Sequence, residues 1–190
     1  MAYQIGDTII KLSLPAIDGN SFSIEQVKGK RYMLSFMRFA ACPFCQLRIH
    51  QLISRWQELD ENFTVIAVFD SSLENLQKQS TNQQAPFPIL ADEQAIYYHQ
   101  FAIKHSVAGM FKAMLFRMPT LLYAMAVKGY FPSSLKGSVT TLPADFLVDE
   151  NGVIDSIYYG KDSGDHLSFD KIKAFLIPHK LQPISIDNID

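Results

Sequence analysis

The residues best suited to chemistry are two cysteines, Cys42 and Cys45, which are separated by a proline and a phenylalanine. A thiolate is the form of cysteine that attacks a disulfide or a peroxide, and a second thiol one helical turn further on can resolve the covalent intermediate. Arg38 lies four residues before the first cysteine, where its positive charge would favour a thiolate. The spacing therefore predicts a redox pair in which Cys42 attacks and Cys45 resolves.

Two segments with different patterns flank the cysteines. Residues 31–37 are rich in large apolar side chains, as in a buried strand, and residues 46–59 place apolar side chains at helical spacing. The cysteines thus lie where a strand passes into a helix, and the free backbone N–H groups at a helix start favour an anion. Residues 63–69 predict the next strand, parallel to the first. That geometry places Asp70 at the same edge of the sheet as the cysteines.

Two other interpretations of the cysteines remain open. A Cys-x-x-Cys pair also forms half of a zinc site, and His50 lies nearby, but a structural zinc site needs four ligands and the sequence has no second cysteine pair. Both cysteines could instead be small core residues. Their joint position around Pro43 and Phe44 at a helix start favours the redox interpretation.

Composition limits the classes of protein to which the chain can belong. A chain of 190 residues, 48% of them hydrophobic, is long enough to bury one globular core. Two cysteines exclude a disulfide scaffold. The first residues show no basic region followed by an apolar stretch, so we expect no secretory signal and a cytoplasmic protein. No phosphate-binding glycine loop, metal-ligand cluster or basic aromatic motif indicates a nucleotide, metal or nucleic-acid function.

The remaining segments predict a single α/β domain over residues 1–178, followed by a loosely held tail over residues 179–190. Two short extended pieces within residues 5–24 predict an N-terminal hairpin, and residues 144–159 predict a second hairpin. Further helices are predicted over residues 72–83, 94–101 and 168–176.

Residues 105–137 predict a helical insertion. Apolar side chains recur along one helical face from Val107 to Met125, and Pro119 divides the segment into two helices. Residues 94–144 contain five basic residues and no acidic one. We expect the apolar face to pack on its own domain, as such stripes usually do. The alternatives are that this basic stretch docks a partner, lies on a membrane or covers the active site.

Several of these segments together resemble the thioredoxin-like superfamily, and within it the alkyl hydroperoxide reductase and thiol-specific antioxidant family in its peroxiredoxin-like branch. The resemblance rests on Ile5-Gly6-Asp7, Asp18-Gly19, Gly29-Lys30, Cys42-Pro43-Phe44-Cys45 and residues 142–152. It implies an α/β thioredoxin-like fold with a central mixed sheet flanked by helices, to which the N-terminal hairpin and the helical insertion are added.

The resemblance also implies further site residues. It implies a cis peptide bond before Pro143, in a loop that faces the cysteines and shapes the docking groove for a substrate. The hairpin that follows would return residues 160–166 to the same edge. There Lys161 could attract an anionic substrate and His166 could transfer a proton, or the polar side chains of this loop could merely satisfy backbone groups.

Two features differ from typical peroxiredoxins, which resemble Pro-x-x-x-Thr-x-x-Cys around the peroxide-reactive cysteine. Here Ser35 and Phe39 stand at the proline and threonine positions relative to Cys42. Pro143 stands where many members have an arginine. The Pro-Phe pair between the cysteines is similar to that of glutaredoxins, which favours a role with disulfides.

The sequence thus predicts an antioxidant thiol-dependent oxidoreductase that reduces disulfides or hydroperoxides with the Cys42 and Cys45 pair. No bound cofactor or metal is expected, and an external thiol such as thioredoxin or glutathione would supply the electrons. A homodimer is compatible with this assignment. The alternative is a redox-sensing interaction protein whose basic insertion binds a partner or an anionic membrane.

Overall fold

The computed structural model describes residues 2–80, 84–132 and 137–177. The strands are β1 (Ser13–Pro15), β2 (Ser21–Ser23), β3 (Arg31–Phe36), β4 (Phe63–Phe69), β5 (Ile89–Ala91), β6 (Ala144–Val148) and β7 (Ile154–Tyr159). The α-helices are α1 (Pro43–Ser54), α2 (Leu73–Ser80), α3 (Ile96–Gln100), α4 (Val107–Phe116), α5 (Met118–Ala126) and α6 (Phe169–Leu176). Short 3-10 helices lie at Ile24–Val27 and Trp56–Glu58. The predicted tail over residues 179–190 lies outside the described residues.

A five-stranded mixed sheet, in the order β5-β4-β3-β6-β7, forms the centre of the fold. The apolar strand β3 pairs in parallel with β4 and antiparallel with β6, so it lies in the middle of the sheet. The predicted parallel unit β3-α1-β4 is confirmed, as are the N-terminal hairpin β1-β2 and the hairpin β6-β7. Strand β5, which pairs with β4, was not predicted.

The side chains of each strand alternate between two apolar cores, one on each face of the sheet. Met33 lies in the core that also contains Cys42 and Cys45, together with side chains of α1 and α6. Leu34 and Phe36 lie in the opposite core, against α3 and the N-terminal hairpin. The cysteines therefore belong to the face of the sheet that α1 covers.

Helix α1 begins three residues earlier than the apolar spacing predicted. Pro43 occupies the first turn, where its missing N–H would have no intrahelical partner, and Cys42 is the N-cap residue. The helix ends at Ser54, and the predicted continuation to residue 59 is instead the short 3-10 helix.

The helical insertion forms, as α4 and α5, but its apolar stripe does not pack on the domain as expected. The buried residues of the two helices are Gly109, Ala113 and Ala124. Most of the large apolar side chains of α4 and α5 are exposed. The prediction was wrong because periodicity shows which side chains share a face, whereas the close approach of α4 to the domain admits only small residues.

Candidate active site

The two cysteines lie at the junction of β3 and α1, as predicted, and both are free thiols. Cys42 is the N-cap residue and Cys45 lies in the first turn of the helix. Both side chains are completely buried, with 0% exposure. Any substrate must therefore enter the protein, or part of the cover must open, before a thiol can react.

Arg38 connects the cysteines to the segment that precedes β6. Its Nη1 donates to Cys42 Sγ at 3.4 Å, and its backbone N–H donates to Cys45 Sγ at 3.3 Å. Its Nε donates to the Thr141 carbonyl at 2.9 Å, and its Nη2 donates to the Val139 carbonyl. Because two carbonyls fix the guanidinium, its charge is held beside Cys42 rather than free to reorient.

The two thiols differ in acidity. Burial raises the pKa of Cys42, but a hydrogen bond from Cys45, the charge of Arg38 and the backbone N–H groups of Cys45 and Phe44 outweigh burial and lower the pKa to about 6. Burial, the same hydrogen bond and the negative charge of Cys42 all raise the pKa of Cys45. At neutral pH Cys42 is thus the thiolate, and Cys45 is the protonated thiol beside it.

Asp70, predicted at the cysteine edge, fixes the same segment from the other side. Its carboxylate accepts from the backbone N–H of Ser138 at 3.0 Å and from the hydroxyl of Thr141 at 3.2 Å. Its own backbone N–H donates to the Arg38 carbonyl at 3.2 Å. Thr141 was not predicted as a site residue, since a backbone carbonyl that accepts from Arg38 has no signature in the sequence.

Pro143 begins the approach to β6, but the cis peptide bond implied before it is absent: every peptide bond among the described residues is trans. The chain here is held extended, because the N–H of Leu142 donates to the Lys104 carbonyl and Thr141 pairs with His105. The Pro143 carbonyl accepts from Gly160 at 2.8 Å. A trans bond suits this continuation of the strand.

The loop of residues 160–166 returns to the cysteine edge, as the hairpin geometry predicted. A Cβ on Gly164 would lie 3.0 Å from the ring of Phe44, so this loop packs on the residue between the cysteines. The Lys161 side chain is exposed. The His166 side chain is 6% exposed, and its Nδ1 lies 3.6 Å from Asp145 Oδ2. Neither nitrogen of the His166 ring has a hydrogen-bond partner among the described residues.

A buried carboxylate, Asp145, lies on the cysteine side of β6. It accepts from the Ser35 hydroxyl and, at 2.7 Å, from the backbone N–H of Leu167. Burial raises its pKa, but His166, Arg48 and Ser35 outweigh burial and lower it to about 2. Ser35, which stands at the position of the family's proline, thus donates a hydrogen bond to the buried Asp145.

His50, considered as a third zinc ligand, contacts Lys128 Nζ at 3.1 Å. Within residues 2–80, 84–132 and 137–177, no group of three or more His, Cys, Asp or Glu side chains is arranged to hold a metal ion.

Comparison with known proteins gives one family and one fold. The sequence profile of the AhpC/TSA family matches residues 5–157. A protein of Coxiella burnetii assigned to the peroxiredoxins (bcp) is 23% identical over 159 residues, which cover 83% of this chain and 89% of that protein.

Three solved structures share the thioredoxin-like fold, which confirms the predicted fold. Thiol peroxidase from Chromobacterium violaceum is 12% identical, with a TM-score of 0.63 over 93% of this chain and 87% of that one. Peroxidoxin BcpB from Mycobacterium tuberculosis is 16% identical, with a TM-score of 0.63 over 91% and 96%. AhpC from Enterococcus faecalis is 16% identical, with a TM-score of 0.66 over 93% and 91%.

Proposed function

We propose that this chain, which belongs to the AhpC/TSA family of thiol-based oxidoreductases, reduces hydroperoxides. In this proposal Cys42 is the attacking thiolate and Cys45 is the resolving thiol. One observation carries this proposal: the fixed guanidinium of Arg38 lies 3.4 Å from Cys42 Sγ, where the pKa is lowered to about 6. A thiolate held beside a cation at neutral pH is the nucleophile that the reaction needs.

The reaction proceeds in two steps. The Cys42 thiolate attacks one oxygen of the hydroperoxide, the O–O bond breaks, and the alkoxide takes up a proton and leaves as an alcohol, so Cys42 becomes a sulfenic acid. Cys45 then loses its proton and attacks the Cys42 sulfur, which forms a disulfide and releases water. An external thiol, of the thioredoxin or glutathione kind, returns two electrons and two protons to the pair.

Burial of the thiols favours a small substrate. A hydroperoxide group consists of two oxygen atoms, so it can pass through a narrow opening to a buried thiol. A disulfide within a folded protein is too large to do so. The Arg38 guanidinium can also donate hydrogen bonds to the peroxide oxygens. Arg38 would then perform the role of the arginine that many family members have at the position of Pro143. We propose that this arginine orients the peroxide as well as stabilising the thiolate.

The other predicted site residues are proposed to act around the dithiol. Pro143, whose carbonyl accepts from the Gly160 N–H, shapes the docking groove for the substrate. The exposed Lys161 attracts anionic substrates to the loop of residues 160–166. His166, which lies beside Asp145, transfers a proton. We also propose a cytoplasmic location.

Thiol–disulfide exchange is a second candidate, and one observation favours it. The two cysteines are hydrogen-bonded to each other within the first turn of α1, and their pKa values are shifted in opposite directions. That asymmetry suits a pair in which one thiol attacks a disulfide and the other releases the mixed disulfide.

The test uses the reduced protein and one equivalent of hydrogen peroxide or cumene hydroperoxide. We expect the parent protein to lose both thiols and the mass of two hydrogen atoms, as an intramolecular disulfide requires. Cys45→Ser should stop at a sulfenic acid that dimedone traps on Cys42, and Cys42→Ser should not react. The two serine variants are matched controls, since each removes one sulfur from the same buried cluster.

Two results would contradict the proposal. If Cys42→Ser consumed peroxide at the rate of the parent protein, the attacking residue would be misassigned. If the parent protein reacted with peroxide no faster than free cysteine but rapidly reduced a glutathione mixed disulfide, the second candidate would replace the first.

A further inference from the structure

The Asp70 carboxylate holds the segment of residues 137–141 at two points. Asp70 directly follows β4 and is buried, with 9% exposure. One of its oxygens, Oδ2, accepts both from the backbone N–H of Ser138 at 3.0 Å and from the hydroxyl of Thr141 at 3.2 Å. A single buried oxygen thus fixes two residues that are three positions apart.

Three hydrogen bonds join Asp70, Thr141 and Arg38 in a closed ring. The Asp70 N–H donates to the Arg38 carbonyl at 3.2 Å, and the Thr141 hydroxyl donates to the Asp70 carboxylate. Arg38 Nε closes the ring by donating to the Thr141 carbonyl at 2.9 Å. Arg38 Nη2 also donates to the carbonyl of Val139. Both carbonyls that hold the guanidinium therefore belong to the segment that Asp70 fixes.

The chain approaches Asp70 so closely that the segment must begin with a glycine. Gly137 has a φ of +106°, a left-handed conformation that favours glycine. A Cβ at this position would overlap the Asp70 carbonyl oxygen and lie 3.0 Å from Phe39 Cβ. The backbone at the end of β4 thus confines the segment on the same side as the carboxylate does.

We propose that Asp70 is a positioning residue for Cys42, and that it acts by holding Arg38 in place through Thr141. This role rests on the proposed function, because it requires Cys42 to be the attacking thiolate. The guanidinium lies 3.4 Å from Cys42 Sγ, and its attraction to the thiolate weakens as this distance grows. Without the carboxylate, Thr141 loses its acceptor, so the carbonyls that hold Arg38 become free to move.

The direct effect of the Asp70 charge on Cys42 has the opposite sign. A negative charge disfavours a nearby thiolate, so loss of the carboxylate charge by itself would lower the pKa of Cys42. Displacement of the Arg38 guanidinium would raise this pKa instead. The direction in which the Cys42 pKa changes therefore distinguishes a residue that positions Arg38 from one that acts through its own charge.

The experiment is a titration of the thiolate absorbance at 240 nm in the reduced full chain, where the pKa of Cys42 is about 6. A guanidinium that moves from 3.4 Å to about twice that distance loses about half of its Coulomb attraction to the thiolate. We expect Asp70→Ala to raise the midpoint by about one pH unit. Asp70→Asn should not raise it, because an amide oxygen at the position of Oδ2 can accept both hydrogen bonds.

Thr141→Val breaks the ring at a second link. It removes the hydroxyl that donates to Asp70 but keeps the backbone carbonyl that accepts from Arg38. We expect the midpoint to rise by about half a pH unit, since the hydrogen bond from Ser138 to Asp70 remains.

Asp92→Ala is the matched control. Asp92 is a second buried aspartate, 1% exposed, but its carboxylate accepts from backbone N–H groups at the start of α3, those of Ile96 and Tyr97. This variant should leave the Cys42 midpoint unchanged. Circular dichroism verifies that each variant is folded.

Two results would overturn the role of Asp70. In the first, folded Asp70→Ala titrates at or below the midpoint of the parent protein. In the second, Asp70→Asn raises the midpoint as much as Asp70→Ala does. If Asp70→Ala does not fold, Thr141→Val decides, and a midpoint equal to that of the parent would refute the route through Thr141.

These outcomes are separate from the test of the proposed function. The midpoint is measured without peroxide, so it can rise in Asp70→Ala even if the parent protein does not reduce hydroperoxides. Conversely, peroxide can oxidise Cys42 in the parent protein even if Asp70→Ala leaves the midpoint unchanged.

Discussion

Replacing Arg38 with methionine should raise the pKa of the Cys42 thiol and slow its reactions at neutral pH. At 3.4 Å, Coulomb's law with an effective dielectric constant of about 20 gives about 5 kcal/mol between guanidinium and thiolate, equivalent to about three to four pKa units. The hydrogen bond from Cys45 and the helix N–H groups, which also lower the pKa, remain in the variant. Because the Thr141 and Val139 carbonyls that accept from Arg38 offset part of its positive charge at Cys42, we expect about half of the Coulomb value, which places the pKa near 8.

The thiolate absorbance at 240 nm, followed from pH 4 to pH 8.5, measures this shift. Because the pKa of Cys45 is raised, the change in this range reports Cys42 alone. A rise of about two pKa units from about 6 lowers the thiolate fraction at pH 7 from about 90% to about 10%. The rate of alkylation by iodoacetamide at pH 7 should fall about tenfold with it.

Arg48→Met is the matched control. Arg48 is a second buried arginine that donates to a backbone carbonyl, that of Leu167, but it lies beside Asp145 rather than beside a cysteine. It should leave the Cys42 pKa near 6. The charge of Arg38 would not be what lowers the Cys42 pKa if Arg38→Met left the midpoint within about 0.3 pH units of the parent value, or if both variants raised it equally.

Two further predictions concern the surroundings of the dithiol. The pKa of Asp145 is about 2 in the folded protein and ordinarily about 3.9, so its contribution to stability, about 2–3 kcal/mol, is present above about pH 4 and lost as the pH falls through about 2. At pH 3, one unit above the folded pKa, about half of this contribution is lost. Between pH 6 and pH 3, the free energy of unfolding measured in urea should therefore fall by about 1 kcal/mol more in the parent protein and in the exposed control Asp155→Asn than in Asp145→Asn. An equal fall in Asp145→Asn would contradict the prediction. Gly160→Ala should lower the free energy of unfolding by about 1–3 kcal/mol, because its Cβ would lie 2.4 Å from the Asp165 carbonyl and 2.9 Å from Pro143 Cγ. An unchanged urea midpoint would show that the loop can move aside without loss.

The sequence predicted the fold where the pattern of side chains is long enough to be read. Strands β3, β4, β6 and β7 have apolar runs or alternation over five or more residues, and each was predicted. Strand β5 has three residues, Ile89–Ala91, directly after a proline, and so short a run has no period. The insertion was predicted as helical, but its buried side was not, because Gly109 and Ala113 carry almost no hydrophobic signal.

The sequence predicted the reactive groups of the candidate site better than their supports. Residue type and spacing were sufficient to group Cys42, Cys45 and Arg38, and the structure places the three in contact. The groups that hold Arg38 in place are carbonyls of Thr141 and Val139, about a hundred positions away, and every residue type has a carbonyl. His166 was predicted on the correct loop, but its neighbour Asp145 depends on which way the side chains of β6 face.

The small residues on the inner side of the insertion bear on how the thiols are reached. Ala113 of α4 packs in the same core as both cysteines, yet α4 buries only this alanine and Gly109. Separating such a surface exposes little apolar area, and the free energy required scales with that area at about 25 cal/mol per Å². We therefore expect α4 to separate from this core at a small cost in free energy, whereas α5 is held by Leu121, which packs against the same core, and by the ion pair between Arg117 and Asp162. If α4 separates in this way, the rate of labelling by a bulky thiol reagent would report how often it does so, because both thiols are buried in the closed form.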